Sequence, residues 1–176
     1  MELLMINNIN ENQSWGNNSV YTISLSIPSG LTAGQIVSLD LHTQFGGGIS
    51  GDNWNLNALT LAATLDNSVP PSNSGSNNPT PQPVTITLVS STGSYLVRFT
   101  GSIHDWASGI SNVGSSDGSK TVTSLNLTIT TGGDDLRAGN NESDNANVIW
   151  TLANGQKISD NNINGGQSWE TTAFIL

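Results

Sequence analysis

FGGGISGDNWNLNALTL, residues 45–61, runs a glycine-rich loop into an Asp-Asn-Trp-Asn cluster and then into an alternating strand. Leu59, Leu61, Ala63 and Leu65 recur at every second position, so one side of the segment is apolar and the other polar, the pattern of a half-buried β-strand. The same period lies upstream of it. SVYTISLSI, residues 19–27, puts Tyr21, Ile23, Leu25 and Ile27 on one face and stops at Pro28 and Gly30. QIVSLDLHT, residues 35–43, turns Val37, Leu39 and Leu41 inward, which sends Asp40 and His42 to the opposite face. Downstream, strands are expected over 84–89 and 95–100, paired as a hairpin around Ser91-Thr92-Gly93, and over 122–131, 147–152 and 171–176. No window has helical periodicity. About eight or nine strands therefore predict an all-β antiparallel sandwich in a single domain spanning residues 1–176.

Two low-complexity stretches interrupt this pattern. Residues 66–83, DNSVPPSNSGSNNPTPQP, hold five of the six prolines, and residues 108–120, SGISNVGSSDGSK, are rich in glycine and serine; both are expected as flexible loops. The chain has four cations, Arg98, Lys120, Arg137 and Lys157, against 13 carboxylates, a net charge of -9. Nucleic acid is excluded as a partner by that balance, because phosphate binding needs clustered Lys and Arg. Anionic membrane surfaces are disfavoured for the same reason. The acidity serves solubility or, where carboxylates converge, cation binding. Without cysteine there is neither a disulfide nor a thiolate metal site. Nothing approaches the run of about 18 apolar residues that spans a membrane. MELLMINN has no basic start and no long apolar stretch, so no secretory signal is read there; a cytoplasmic protein, one exported by another route, or a piece of a longer protein all remain open.

An internal repeat bears on both ends. NNINENQSW at 7–15 and NNINGGQSW at 161–169 match at seven of nine positions, including the tryptophan, at an offset of 161 - 7 = 154 residues. Such a match points to one structural unit in rotated order with its junction strand present twice. A terminal strand that pairs with a neighbouring molecule, giving a homo-oligomer, is the bolder form of that reading.

Read from residue 121 to the end and then from the start, the order is TSLNLTITTGGDDLRAGN, NANVIWTLANGQ, NINGGQSW, IVSLDLHTQFGGGISGDNWNLNALTL. This resembles the PLAT (lipoxygenase-homology) β-sandwich in circularly permuted order. It is closer still to a bacterial accessory domain with GDDLR-G-N and FGGG-GDNWNL signatures, found beside hydrolase domains. LVRFTG, residues 96–101, fits that bacterial pattern too, and the permutation places the natural junction within 108–120. Two positions depart from the PLAT pattern: Gly133 stands where the turn carries its acidic residue, which moves to Asp134, and the HDN after the strand reads His42, Thr43, Gln44. The resemblance implies a sandwich that docks to lipid or protein.

The residues themselves favour a non-catalytic binding module. Asp134, Asp135, Asn140, Asn141, Glu142 and Asp144 bring oxygen donors into one glycine-containing turn, and calcium takes about six to eight oxygens from such groups. Asp and Asn also cap turns through their own backbone, so both roles stay open. Trp54, flanked by Asp52, Asn53 and Asn55, and Trp106, following His104 and Asp105, are candidate platforms for a sugar ring, with the polar neighbours meeting its hydroxyls. Packing is the alternative for Trp54, and the one the resemblance favours; Trp15, Trp150 and Trp169 are expected in the core. His42, beside Asp40, is either a ligand or base, or a hydrogen-bonded surface histidine. Catalysis is not expected: there are two histidines, no thiol and no nucleophile elbow, and the clustered carboxylates share one turn rather than facing each other. The expectation is therefore calcium-supported carbohydrate binding, with a glycan or other small polar ligand as partner. Lipid or protein docking, which would use apolar loop residues such as Ile49 and Leu136, and self-assembly through the duplicated strand are the alternatives.

Overall fold

The computed structural model describes residues 15–44, 53–67, 82–100, 102–110, 113–136 and 145–160. Among them the chain forms eight strands: β1 (Val20–Leu25), β2 (Ile36–Gln44), β3 (Trp54–Leu65), β4 (Val84–Phe99), β5 (Asp105–Gly109), β6 (Val122–Thr131), β7 (Asn145–Leu152) and β8 (Lys157–Asp160). One helical turn, α1 (Ser115–Gly118), precedes β6. The strands make two four-stranded sheets, ordered β1-β6-β3-β4 and β5-β2-β7-β8, with every pairing antiparallel. The fold is the all-β sandwich expected from the alternating sequence.

The alternation becomes a core through register. In the first sheet Ile23, Leu127, Leu61 and Val89 lie opposite one another across all four strands, and Leu25, Leu125 and Ala63 form the next row. The inner face of the second sheet carries Leu39, Leu41, Val148 and Trp150, and residues of both sheets belong to a single buried cluster. The outer face of the first sheet is a field of hydroxyls. Thr22 and Thr128 hydrogen-bond side chain to side chain at 3.1 Å, Ser24 donates to the Asn126 amide oxygen at 2.9 Å, and Thr64 meets Thr85 at 3.3 Å. These polar cross-strand pairs keep the solvent side of the ladder hydrated without charge.

Four expectations change. Residues 84–89 and 95–100 do not fold back on each other. Both belong to β4, which runs the length of β3, with Leu65 opposite Val84 at one end and Trp54 opposite Phe99 at the other. The register jumps from Ala58↔Thr92 to Leu56↔Val97, so the Ser-Thr-Gly segment leads into a bulge rather than a turn. β3 has its own irregularity between Leu56 and Ala58 but remains one strand, so it offers a partner to both halves of β4. Val37 is also reassigned: a register shift after Ile36 turns Ile36 inward and leaves Val37 37% exposed. Within 108–120, expected as a loop, Ser108 and Gly109 end β5 and Ser115–Gly118 form α1. Leu136, expected as an exposed apolar loop residue, is fully buried and bridges to Trp15. The expected strand over 171–176 and most of the proline-rich stretch, 68–81, lie outside the described residues, as do Ile49, Trp169 and the rest of both repeat copies except Trp15.

Leu61 sits at the centre of the shared core with no exposed surface. Leu61→Ala is expected to cost about 2–5 kcal/mol in a urea titration. Thr60→Ala, on the outer face of the same strand, should cost less than about 1 kcal/mol.

Candidate functional site

Two of the expected residues, Asn55 for a ligand and Asp134 for a metal, meet at one end of the first sheet. After Thr131 the chain leaves β6 and crosses the start of β3: Gly132 N–H donates to the Asn55 carbonyl at 2.7 Å, and Asn55 N–H donates to the Asp134 carbonyl at 3.1 Å. Asn55 and Arg98 are paired neighbours on β3 and β4. The Arg98 guanidinium spans the cluster, donating from Nη1 to Asn55 Oδ1 at 2.9 Å and meeting Asp134 Oδ2 from Nη2 at 2.7 Å. A planar fork can hold both partners at once, which a lysine ammonium on the same stem cannot do as well. Neither partner is deeply buried, with 39% of the Arg98 side chain and 28% of the Asp134 side chain exposed, so the cluster faces solvent.

Gly132 is what lets the loop lie so close. A methyl group there would stand 2.8 Å from Asn55 Cβ and 2.6 Å from Asn57 Oδ1, inside contact distance, whereas at Gly133 it would meet nothing. The acidic residue that the resemblance places at 133 is therefore not excluded by space; the chain simply carries its carboxylate one residue later, where Arg98 neutralises it.

Beneath this polar cluster lies an aromatic stack. Trp54 packs face to face on Phe99 with ring centroids 5.1 Å apart, Trp15 meets Trp54 at 5.7 Å, and Tyr21 stacks on Trp15 at 5.2 Å. Trp54 is fully buried, so its ring presents no face to a sugar. Its role is packing, the alternative weighed for it, because the irregularity between Leu56 and Ala58 reverses the alternation of β3 and brings Trp54 and Leu56 to the same inner side as Leu59. Trp106 lies opposite Leu41 on β5 and packs partly buried against the core, so part of its ring remains at the surface. The packing expected for Trp15 and Trp150 is what the structure has, both having no exposed surface.

The remaining candidates separate. Asn53 precedes β3 and is partly buried, while Asp135 adjoins Asp134. Asp52, Asn140, Asn141, Glu142 and Asp144 lie outside the described residues. Among the described residues no group of three or more His, Asp or Glu side chains is arranged to hold a metal. Asp134, the first donor expected for calcium, already has a counter-ion in Arg98. Arg98 itself was legible in the sequence only as one of four cations; its position opposite Asn55 follows from the register of β4, which the hairpin reading hid.

His104 is on the second sheet, away from Asn55 and Asp134. Its carbonyl accepts from Thr43 N–H at 2.8 Å, and its ring centroid is 6.2 Å from that of His42. His42 Nδ1 lies 2.6 Å from Asp105 Oδ1 on the neighbouring strand, so the ring is hydrogen-bonded at the surface. Asp40, two residues earlier on the same face, has its carboxyl pushed up from the ordinary aspartate value; burial is the main cause, Lys157 opposes it and Asp105 adds to it.

Comparisons with protein-family models, with curated proteins and with solved structures each gave no match. The geometry defines an all-β sandwich with a polar cluster at the end of one sheet.

Gly132→Ala is expected to destabilise the chain by about 1–3 kcal/mol through overpacking, with Gly133→Ala within about 0.5 kcal/mol of the parent; equal effects in paired urea titrations would show that the loop does not depend on the close approach. A pH series tests Asp40. A carboxylate whose folded pKa is raised is a destabilising charge above that pKa and none below the unfolded value. Asp40→Asn should thus melt higher than the parent at neutral pH, and the gap should close as pH falls through the ordinary aspartate range. A gap that persists at the acid end would assign the effect to something other than ionisation.

Proposed function

We propose that the protein is a non-catalytic binding module for a polyhydroxylated ligand, with carbohydrate as the substrate class. The observation that carries this is the Asn55–Arg98–Asp134 cluster, which opens at the end of an outer face of Thr, Ser and Asn side chains. A sugar offers vicinal hydroxyls that donate to a carboxylate and accept from a guanidinium and an amide, and an Arg–Asp pair held by an Asn supplies those three groups within one hydroxyl-sized spread. The stacking platform expected at Trp54 plays no role in this reading, so recognition is by hydrogen bonds along the surface of the sheet. The resemblance to an accessory domain found beside hydrolases supports the same class of ligand.

Calcium enters as support for the loop rather than as a bridge to the sugar. The candidate donors for a cation are Asp134, whose carboxylate already meets Arg98, and Asp135, with Asn140, Glu142 and Asp144 grouped by sequence. A ligand that binds the folded state raises its stability by mass action, so a melt in calcium against a melt in EDTA reads this arm separately.

The test is a glycan array probed with labelled protein in calcium and in EDTA. Binding to a defined glycan set is expected for the parent, with at least a tenfold loss for Arg98→Ala, corresponding to about 1.4 kcal/mol, while the variant's melt remains cooperative. A blank array under both conditions, or unchanged binding by Arg98→Ala, would sink the proposal.

A further inference from the structure

The duplicated segment has one tryptophan in the described structure and no role in carbohydrate binding. Trp15, the last residue of the first copy, sits in a slot built by Tyr21 and Trp54 together with Thr131 and Leu136. Its backbone makes a two-way bridge with Leu136, donating to the Leu136 carbonyl at 3.0 Å and accepting from Leu136 N–H at 3.1 Å. The buried Thr131 hydroxyl donates to the carbonyl of Gly16, and Tyr21 and Trp54 flank the indole. No acceptor for the indole Nε1 is found among the described residues, so ring shape and backbone bonds hold Trp15 rather than any side-chain polar contact.

Each of those features can be met by the second copy. Trp169 supplies the same ring after the same Gln-Ser, and the backbone bonds to Leu136 and Thr131 do not read side chains. The residue after the tryptophan changes from Gly16 to Glu170, and a Cβ at Gly16 would make ordinary contacts only, 3.6 Å from Ser19 Oγ and 3.9 Å from the Tyr21 hydroxyl. Beyond that position the copies diverge. Asn18 turns the chain into β1 with φ 52, a left-handed conformation that Asn tolerates. At the matching offset the second copy has Thr172, and a β-branched residue is disfavoured in that left-handed conformation. A second copy placed in the slot would therefore have to leave it along another path than the one into β1.

We propose that the slot holding Trp15 is also the receptor for residues 161–169 of a second copy of this chain, so that molecules exchange segments and join head to tail. The first copy wins in isolated molecules because it is tethered beside its slot, at an effective concentration on the order of millimolar, and makes the Asn18 turn. The second copy competes as protein concentration approaches that value. The contact is heterologous, with a segment on one molecule and a slot on the next, so one-way donation builds chains or rings and reciprocal exchange closes a dimer.

Sedimentation velocity of the full chain from micromolar to roughly millimolar concentration tests this, alongside Trp169→Ala and Trp15→Ala. The parent is expected to shift progressively to larger species. Trp169→Ala should remain monomeric with an unchanged melt, and Trp15→Ala, its own slot emptied of the ring, should assemble at a concentration at least tenfold lower. The proposal is overturned if the parent stays monomeric throughout, if Trp169→Ala assembles like the parent, or if Trp169→Ala fails to fold, which would mean that Trp169 serves its own molecule. A monomeric Trp15→Ala with the parent's melt would also overturn it, since the second copy would then fill the slot within its own chain.

Discussion

Strand β6 is hydrogen-bonded on both sides, to β1 along Val20–Leu25 and to β3 along most of its length. Its inner residues, Leu125, Leu127 and Ile129, are all buried, and each is matched by an apolar residue on both flanking strands. Every other feature of the first sheet leans on this. Without β6, β1 has no partner in the described structure, and the inner side of β3 loses the neighbours that exclude water from it. The same strand ends in Thr131, whose hydroxyl and amide organise residues 16 to 19, and continues into the Gly132–Leu136 loop that carries Asp134. Core, aromatic stack and polar cluster are consequently set by the register of one strand.

That register explains how much of the fold could be read in advance. β6 was legible to its end residues because LNLTITT alternates strictly from Leu125 and Val122 adds an apolar start, and β1, β2 and β7 were close for the same reason. β5 and β8 were missed because each is a short edge strand with few apolar residues: DWASG places only Trp106 and Ser108 inward, and KISD is four residues long. Period-two reasoning has little to count in such segments. The hairpin error has a different origin. Ser-Thr-Gly is sound local turn chemistry, but β3 is long enough to pair with both flanks, and long-range pairing prevailed over the local signal.

The candidate site was legible as a region and not as an arrangement. The sequence brought Asn55 and Asp134 into view separately, one for a ligand and one for a metal. Their union depends on backbone bonds between the β6 exit and the β3 start, contacts between residues far apart in the chain that no local pattern encodes. Trp54 was ambiguous because the alternation of Leu59 to Leu65, carried back, sends it outward, and the irregularity between Leu56 and Ala58 that turns it inward has no local signal. Arg98 lacked any motif. Its importance comes from lying opposite Asn55, a property of the bulge that brings β4 back into register with β3.

The order of strands in the first sheet also bears on how the chain acquires its structure during synthesis. β1, β3 and β4 are all translated before β6, which must enter between β1 and β3. During elongation β3 and β4 can pair, but β1 waits as a separate half-apolar segment, and the inner face of the β3–β4 ladder stays wet. Such late, non-local insertion of a central strand is slow, and the waiting edges are open to the wrong partner. The uncharged hydroxyl face offers no electrostatic guard against that, so the nascent chain depends on the timely arrival of residues 122–131 to close the sheet.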